Sequence, residues 1–382
     1  MASLPATMKA VVFDGPHKVS VQERPVPTIK DERDIIVKVQ STALCGSELH
    51  TFRGLHPSAT GFIMGHEFTG EVVVAGKNVR SVKVGDKVVS PFTSSCGDCF
   101  FCNNGATGRC KESLLLGCDK LDGAQAEYVR VPTADGTVMV APKEIDDKAL
   151  ILMADIFPTG YFGASNAFRN LGPAQKPSDV TAVVIGCGPV GLCAIVSALE
   201  YKPKHLFAID SVESRLELAR SLGAEPLNFA KDKDGMMARV KEVTEGRGAD
   251  VVIEVVGLSP AIRTGFDLLR PFGFLSSIGV HNAEVQYPPS RQCDISFPEI
   301  VALTWYIRTQ IPWTGEEAYD KNLKLQMGRC PVRSVFPDAL KVLAKNQHLF
   351  GFMFEKIMPL SEAVEGYDLF DKMKVQKVIF KP

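Results

Sequence analysis

The sequence predicts a two-domain α/β protein in which a β-rich opening precedes a doubly wound parallel sheet. Three observations carry this expectation. A length of 382 residues exceeds what one hydrophobic core usually supports. Residues 8 to 131 offer short β-branched strands between Pro, Gly and charged turns, whereas residues 180 to 280 alternate strand with helix. Between them Val180-Thr181-Ala182-Val183-Val184-Ile185 runs directly into Gly186-Cys187-Gly188-Pro189-Val190-Gly191, a strand followed by the G-x-G-x-x-G order.

Each part of that junction has a physical reason. Gly186 permits the turn, Gly188 lets backbone approach a pyrophosphate, and Gly191 lets the next helix pack closely on the strand. The helix N-terminus favours the phosphate charge. Leu192 to Tyr201 reads as helix, and Leu206-Phe207-Ala208-Ile209 as a second strand ending on Asp210, about 20 residues past the glycines, where an acid accepts hydrogen bonds from an adenosine ribose. A dinucleotide is the natural occupant. The Asp210 charge predicts NAD over NADP, because it would repel a 2′-phosphate, with Arg215 five residues on as a group able to soften that preference.

Composition narrows the class further. Lys+Arg 43 against Asp+Glu 44 leaves a net charge of -1, which argues against nucleic acid or an anionic membrane as partner. No apolar run approaches a membrane span, and Met1 to Ala6 lacks the charged and apolar regions of a signal peptide, so the expected compartment is the cytoplasm. Ten cysteines are too few for a disulfide scaffold, and four of them crowd between residues 96 and 110, which points to metal.

In chain order, Lys9 to Phe13, Val19 to Val21 and Asp34 to Val39 read as antiparallel strands, followed by Glu71 to Val74, Val84 to Val89 and Glu127 to Val131. Ala149 to Ala154 is apolar and meets Asp155 ahead of a helix, where a carboxylate most simply caps. Beyond Asp210 the alternation continues. Helices are expected at Val212 to Leu222, Asp234 to Thr244 and Pro260 to Leu269, with strands at Glu225 to Phe229, Asp250 to Val256 and Phe274 to Val280. Residues 281 to 320 break the rhythm with Pro and aromatics, and Val301 to Ile307 reads as strand or helix. A strand at Leu323 to Met327, helices at Pro337 to Ala344 and Ser361 to Met373, and a strand at Val375 to Phe380 close the chain.

Two sets of residues suggest metal chemistry. Cys45-Gly46-Ser47-Glu48-Leu49-His50 and Gly65-His66-Glu67 supply a thiolate and imidazoles, which are good zinc ligands, although each taken singly reads as a buried Cys or a structural His. Cys96, Cys99, Cys102 and Cys110 follow C-x2-C-x2-C-x7-C, a closed four-sulfur set. An iron–sulfur cluster uses similar ligands, and four unrelated core cysteines is the plain alternative. The polar, Gly-rich segment has too little apolar mass to order itself, which favours structural zinc.

Together these motifs resemble the zinc-dependent medium-chain dehydrogenase/reductase family of alcohol dehydrogenases, over nearly the whole chain. Met153 to Tyr161 and Gly328-Arg329-Cys330-Pro331-Val332-Arg333 look like its glutathione-independent formaldehyde dehydrogenase branch. The resemblance implies a GroES-like catalytic domain of residues 1–155, returning at 326–382, around a Rossmann NAD-binding domain of residues 156–325. It implies two zinc ions per subunit. Cys45, His66 and Asp155 would hold the catalytic one with Glu67 beside it, and Cys96, Cys99, Cys102 and Cys110 the structural one. Cys118, Cys187, Cys193, Cys293 and Cys330 are left as small core residues.

The resemblance also implies the chemistry. Ser47 would accept the alcohol proton and pass it through the cofactor ribose to His50, with Phe92 and His56 as pocket walls. The expected function is hydride transfer between NAD and an alcohol, aldehyde or ketone. A biosynthetic carbonyl reductase acting on a bulky substrate is the alternative within enzymes, and a non-catalytic NAD-binding relative the alternative outside them. The short connector after Cys110 suits a tetramer, so a homo-dimer or homo-tetramer is expected.

Overall fold

The computed structural model describes residues 4–56, 58–281 and 311–382. The reading of Val301 to Ile307, and Cys293, lie outside the described residues. The chain divides into two compact units, one of Met1–Phe162, Gly188–Ser197 and Arg329–Pro382, the other of Gly163–Cys187 and Ala198–Gly328.

The first unit is β-rich. Strands β1 (Thr7–Gly15) and β2 (Lys18–Pro25) form an antiparallel hairpin. A second sheet is built from β3 (Ile35–Ala43), β4 (Glu67–Ala75), β5 (Lys87–Ser90), β6 (Tyr128–Val131) and β7 (Met139–Val140). Alternation explains β3: its side chains run mostly buried with Lys38 and Gln40 turned out. The expected strand from Val84 starts only at Lys87, because Gly85 turns at φ +93°.

The second unit carries a parallel sheet of β8 (Thr181–Ile185), β9 (His205–Asp210), β10 (Glu225–Asn228), β11 (Ala249–Glu254), β12 (Leu269–Ser277) and β13 (Lys324–Met327). Among the described residues its order is β10-β9-β8-β11-β12-β13, so the strand order reverses beside β8, where doubly wound sheets bind their ligands. Val183, Ile185, Phe207, Ile209, Val252 and Leu275 fill its core with helix residues Met236, Val240 and Ile262. Strand β12 starts earlier than the sequence suggests. Its pairing with β11 slips between Ala249 and Val251, and Phe272 at φ 59° marks the irregularity that hides the strand's first half.

The chain then returns to the first unit through helix Val332–Asn346, β14 (Ile357–Pro359), helix Ala363–Asp371 and β15 (Ile379–Lys381), which pairs with β3. Pro337 lies inside the first of these helices rather than at its start, since Val332, Phe336, Ala339 and Leu343 bury one continuous stripe. Tyr367, Phe370 and Phe380 pack with Phe13, Phe52 and Phe62, so the two chain ends share a core.

Candidate active site

Strands β3 and β4 pair with Ala43 opposite Glu67, which brings the residues just past each to one end of the sheet. Cys45 and His66 meet there. Gly65 holds φ +100° with its Cα against Gln125, where a Cβ would fall 2.6 Å from the Gln125 amide nitrogen, so only glycine lets the chain enter His66 at this angle. Asp155 arrives between the 3-10 turn Ile151–Ala154 and helix Ile156–Arg169. Cys45 Sγ and His66 Nε2 each lie 3.4 Å from Asp155 Oδ2, and all three residues are buried. A tetrahedral zinc with ordinary bond lengths has edges of about 3.4–3.6 Å between such atoms. The residues therefore fit the metal. Asp155 is not spent as a cap: its carboxylate accepts from the Thr159 hydroxyl at 2.7 Å, and only its backbone carbonyl takes the Thr159 amide.

The electrostatics call for a cation. Burial opposes charge on His66, yet Glu48, Asp155 and Cys45 outweigh it and lift its pKa well above the ordinary imidazole value. Burial alone would raise the Asp155 carboxyl, but its hydrogen bond to His66 holds it below the usual range. Burial and the Asp155 charge push the Cys45 thiol up. A divalent ion in their midst would take the place of these protons.

Around the three runs a polar network of which sequence reasoning named Glu67 and missed the rest. Glu48 Oε1 accepts from the His66 backbone at 3.1 Å and lies 3.2 Å from His66 Nδ1, while Oε2 accepts from the Cys45 amide and Gln125 Nε2. Tyr367 donates to Gln125 Oε1 at 2.9 Å. Glu67 meets Lys377, whose Nζ donates to Oε1 at 2.7 Å and to the Leu44 carbonyl at 3.0 Å. Glu67 Oε2 stands 2.6 Å from Nζ but outside hydrogen-bond geometry, a buried oxygen without a hydrogen-bond partner among the described residues. Burial pushes the Glu67 carboxyl up to about 7 although Lys377 pulls it down. The one signal for Lys377 was its place inside the expected closing strand Val375 to Phe380, just ahead of the apolar Val378-Ile379-Phe380.

Ser47 Oγ lies 3.3 Å from Cys45 Sγ and 3.4 Å from His66 Nε2. His50 makes no side-chain hydrogen bond to Ser47; its buried Nδ1 has no partner among the described residues, and its ring stands 5.8 Å from that of His56. Burial, then His56 and Arg53, lower its pKa. Phe92 presents an edge-on ring 6.1 Å from His66, and the Arg329 guanidinium lies 5.9 Å from the Phe92 ring centroid.

The four lobe cysteines also converge. Sulfur pairs Cys96–Cys110, Cys99–Cys102 and Cys96–Cys102 are 3.5, 3.6 and 4.0 Å apart, far too long for disulfides. A tetrahedral Zn–S4 site has edges of about 3.8 Å. Of the remaining cysteines, Cys187, Cys193 and Cys330 are buried and Cys118 half-buried.

At the carboxyl end of β8, Gly186 takes φ +95°, and a Cβ there would lie 2.7 Å from the Val256 side chain. Gly188 precedes helix Pro189–Leu199, with Pro189, Val190 and Gly191 in its first turn and Pro189 in the position where a missing N–H costs nothing. Asp210 ends β9; its carboxylate accepts from the amides of Cys187, Ser211 and Val212 at 2.7, 2.7 and 2.9 Å, with Arg215 Nη1 4.0 Å away. These residues fit a dinucleotide. Two open depressions of about 370 and 800 Å³ instead share Gln175, Arg247 and Asp250 at the opposite, amino end of β8 and β11. There Asp250 is already held by Gln175, Arg270 and the Thr181 amide, which makes a strut rather than a ligand site.

Comparison with known proteins bears on the family and the fold. Residues 31–143 match the alcohol dehydrogenase GroES-like domain, and residues 189–310 the zinc-binding dehydrogenase model. The chain is 64% identical to zinc-type alcohol dehydrogenase B of Aspergillus flavus over 98% of its own length and 81% of that protein's. It is 60% identical to the medium chain reductase/dehydrogenase ucsI of Acremonium sp over 74% of its length and 97% of that protein's. Among solved structures, alcohol dehydrogenase TADH from Thermus sp. ATN1 superposes with a TM-score of 0.82 at 30% identity, covering 98% of this chain and 99% of that one.

Proposed function

This chain belongs to the zinc-dependent medium-chain dehydrogenase/reductase family of alcohol dehydrogenases, and from that premise we propose how its residues divide the work. The protein is a zinc-dependent oxidoreductase that moves a hydride between a nicotinamide cofactor and an alcohol or carbonyl substrate. In our reading Cys45, His66 and Asp155 hold a catalytic zinc, and Cys96, Cys99, Cys102 and Cys110 a structural one. The observation that carries it is the pair of 3.4 Å separations among three chemically different, buried ligand atoms. When bound, the metal supplies a Lewis acid that lets a hydroxyl beside it lose its proton near neutral pH.

The chain's own groups handle that proton. Ser47, within 3.4 Å of both Cys45 and His66, receives it, and His50, kept neutral by its lowered pKa, takes it onward. Glu48 fixes the His66 ring by accepting from Nδ1, which leaves Nε2 for the metal. Glu67, tied to Lys377, sets the charge behind the site. Residues 1–155 with 326–382 serve the substrate in this reading, and 156–325 the cofactor.

We read the cofactor as NAD, supported by Asp210, which three amides hold in place beside the site where a 2′-phosphate would have to enter. We read the assembly as a homo-oligomer, supported by β13, an edge strand of the parallel sheet that is largely exposed among the described residues. No described helix is long and apolar enough to cross a membrane, and thiolate zinc sites suit a reducing compartment, which supports the cytoplasm. Elemental analysis with a turnover screen over alcohols and carbonyls tests the core reading. It expects two zinc ions per chain and NAD-dependent turnover; one zinc, or a metal-loaded protein inert on the whole panel, would overturn it.

A further inference from the structure

A second polar cluster sits at the carboxyl end of the parallel sheet. Glu254, the last residue of β11, is wholly buried, and its Oε1 accepts from the amides of Val256 and Gly257, each at 2.7 Å. Its Oε2 accepts from the Ser277 hydroxyl at 2.6 Å. Ser277 Oγ lies 2.7 Å from His281 Nε2, which is itself 3.4 Å from Glu254 Oε2. The hydrogen-bond inventory settles the proton. A serine hydroxyl has one hydrogen, and here the carboxylate takes it, so Ser277 can only accept from His281, which must carry its proton on Nε2. In the neutral ring the other nitrogen, Nδ1, is then an acceptor.

The position of this acceptor matters. Asp210, at the end of β9, marks the adenosine side of the crevice, and β11 and β12 lie on the opposite side of β8. The Val255–Val256 stretch touches Gly186 itself, since the Val255 amide donates to the Ile185 carbonyl and both valine side chains bound the space beside Gly186. His281 therefore stands at strand ends that face the nicotinamide half of a bound dinucleotide. Its imidazole is about a quarter exposed, whereas Glu254 and Ser277 are sealed. Glu254 already fastens Val256, Gly257 and Ser277, so the loop does not need His281 to hold its shape.

We propose that His281, oriented by Ser277 and Glu254, is a cofactor-positioning residue whose Nδ1 accepts a hydrogen bond from a donor on the nicotinamide half, either the carboxamide amino group or a ribose hydroxyl. The proposal rests on the dinucleotide reading above and deepens it. The test measures binding to the zinc-loaded full chain by calorimetry, with no turnover needed. His281→Ala should weaken NADH about 3- to 10-fold, the worth of one neutral hydrogen bond, and leave ADP, which lacks the nicotinamide half, unchanged. His281→Gln, which keeps an acceptor, should recover part of the loss. The reduced 3-acetylpyridine analogue, without the amino group, tells the two donors apart: it loses affinity with His281→Ala only where the ribose is the partner. Equal weakening of NADH and ADP would mean that His281 merely shapes the loop, and unchanged NADH binding would remove its role altogether. Wild-type protein that binds neither NADH nor ADP would instead take down the dinucleotide reading on which the proposal stands.

Discussion

Lys377→Met removes the only cation within reach of Glu67 among the described ion pairs, and the consequence can be worked from the geometry. Both side chains have no solvent exposure, so water cannot replace the lost partner. Breaking a buried pair from one side costs about 3–5 kcal/mol, because the remaining charge stays desolvated. Glu67→Met should cost a similar amount by stranding the lysine. The double variant has no buried charge left to strand. It forfeits chiefly the bond from Lys377 to the Leu44 carbonyl, about 1–2 kcal/mol. The double change should therefore cost several kcal/mol less than the sum of the singles, a coupling that distant sites do not show. Guanidinium unfolding at saturating zinc, followed by circular dichroism, reads all three. A Lys377→Met loss below about 0.5 kcal/mol, or a double variant equal to the sum, would refute the claim that this pair is desolvated and mutually dependent.

Four further outcomes are expected. Asp155→Ala should lose one of two zinc ions and most turnover while the four-cysteine zinc and NADH binding persist; if Asp155 were only a cap, the change would cost about 1 kcal/mol and keep both metals. Tyr367→Phe keeps the ring but unties Gln125 from behind Glu48, so a chelator should strip the catalytic zinc about 10-fold faster and the structural zinc at the wild-type rate; equal rates at both sites would count against the network. His50 has a pKa below the ordinary 6.5, so its acceptor form is present above that pKa and disappears as pH falls through it. Oxidation rate should drop on the acid side below 6.5, with the limb altered in His50→Gln, and its neutral-state contribution to stability should fade over the same acid window. Asp210→Ser should raise the efficiency of NADP relative to NAD, since it removes the charge facing a 2′-phosphate and leaves Arg215; a wild type that already prefers NADP sinks the assignment.

What the sequence made legible was whatever depends on local spacing. The glycine turn, the βα alternation and the four-cysteine lobe are each written within about 20 residues, and periodicity or ligand spacing is enough to read them. Cys45 and His66 were legible as metal-ligand types, and the structure brings them together because β3 and β4 pair in one register. Asp155 was different. Beside a helix start its residue type alone reads as a cap, the family resemblance makes it a ligand, and the fold turns its carboxylate toward His66. Elements blurred by an irregularity were misplaced for the same reason, as with the first half of β12 and the proline carried inside helix Val332–Asn346.

The partners that no local pattern announces are joined across long stretches of sequence. Lys377 reaches Glu67 and Tyr367 reaches Gln125, contacts 310 and 242 residues apart. Each is a polar group that burial would penalise by itself, and each is tolerable only because its partner is delivered by another segment. Burial and pairing thus explain each other: Tyr367 and Lys377 return with the closing segment that packs on β1 and pairs with β3, and the polar ends of their side chains meet Gln125 and Glu67. Three acidic groups, Cys45, Glu67 and Asp155, then act on the one buried lysine among the described residues, and a fourth, Glu48, lies against His66. That imbalance is why His66 is driven toward its protonated form without a metal, and why a divalent cation is the species that this arrangement of charges accommodates.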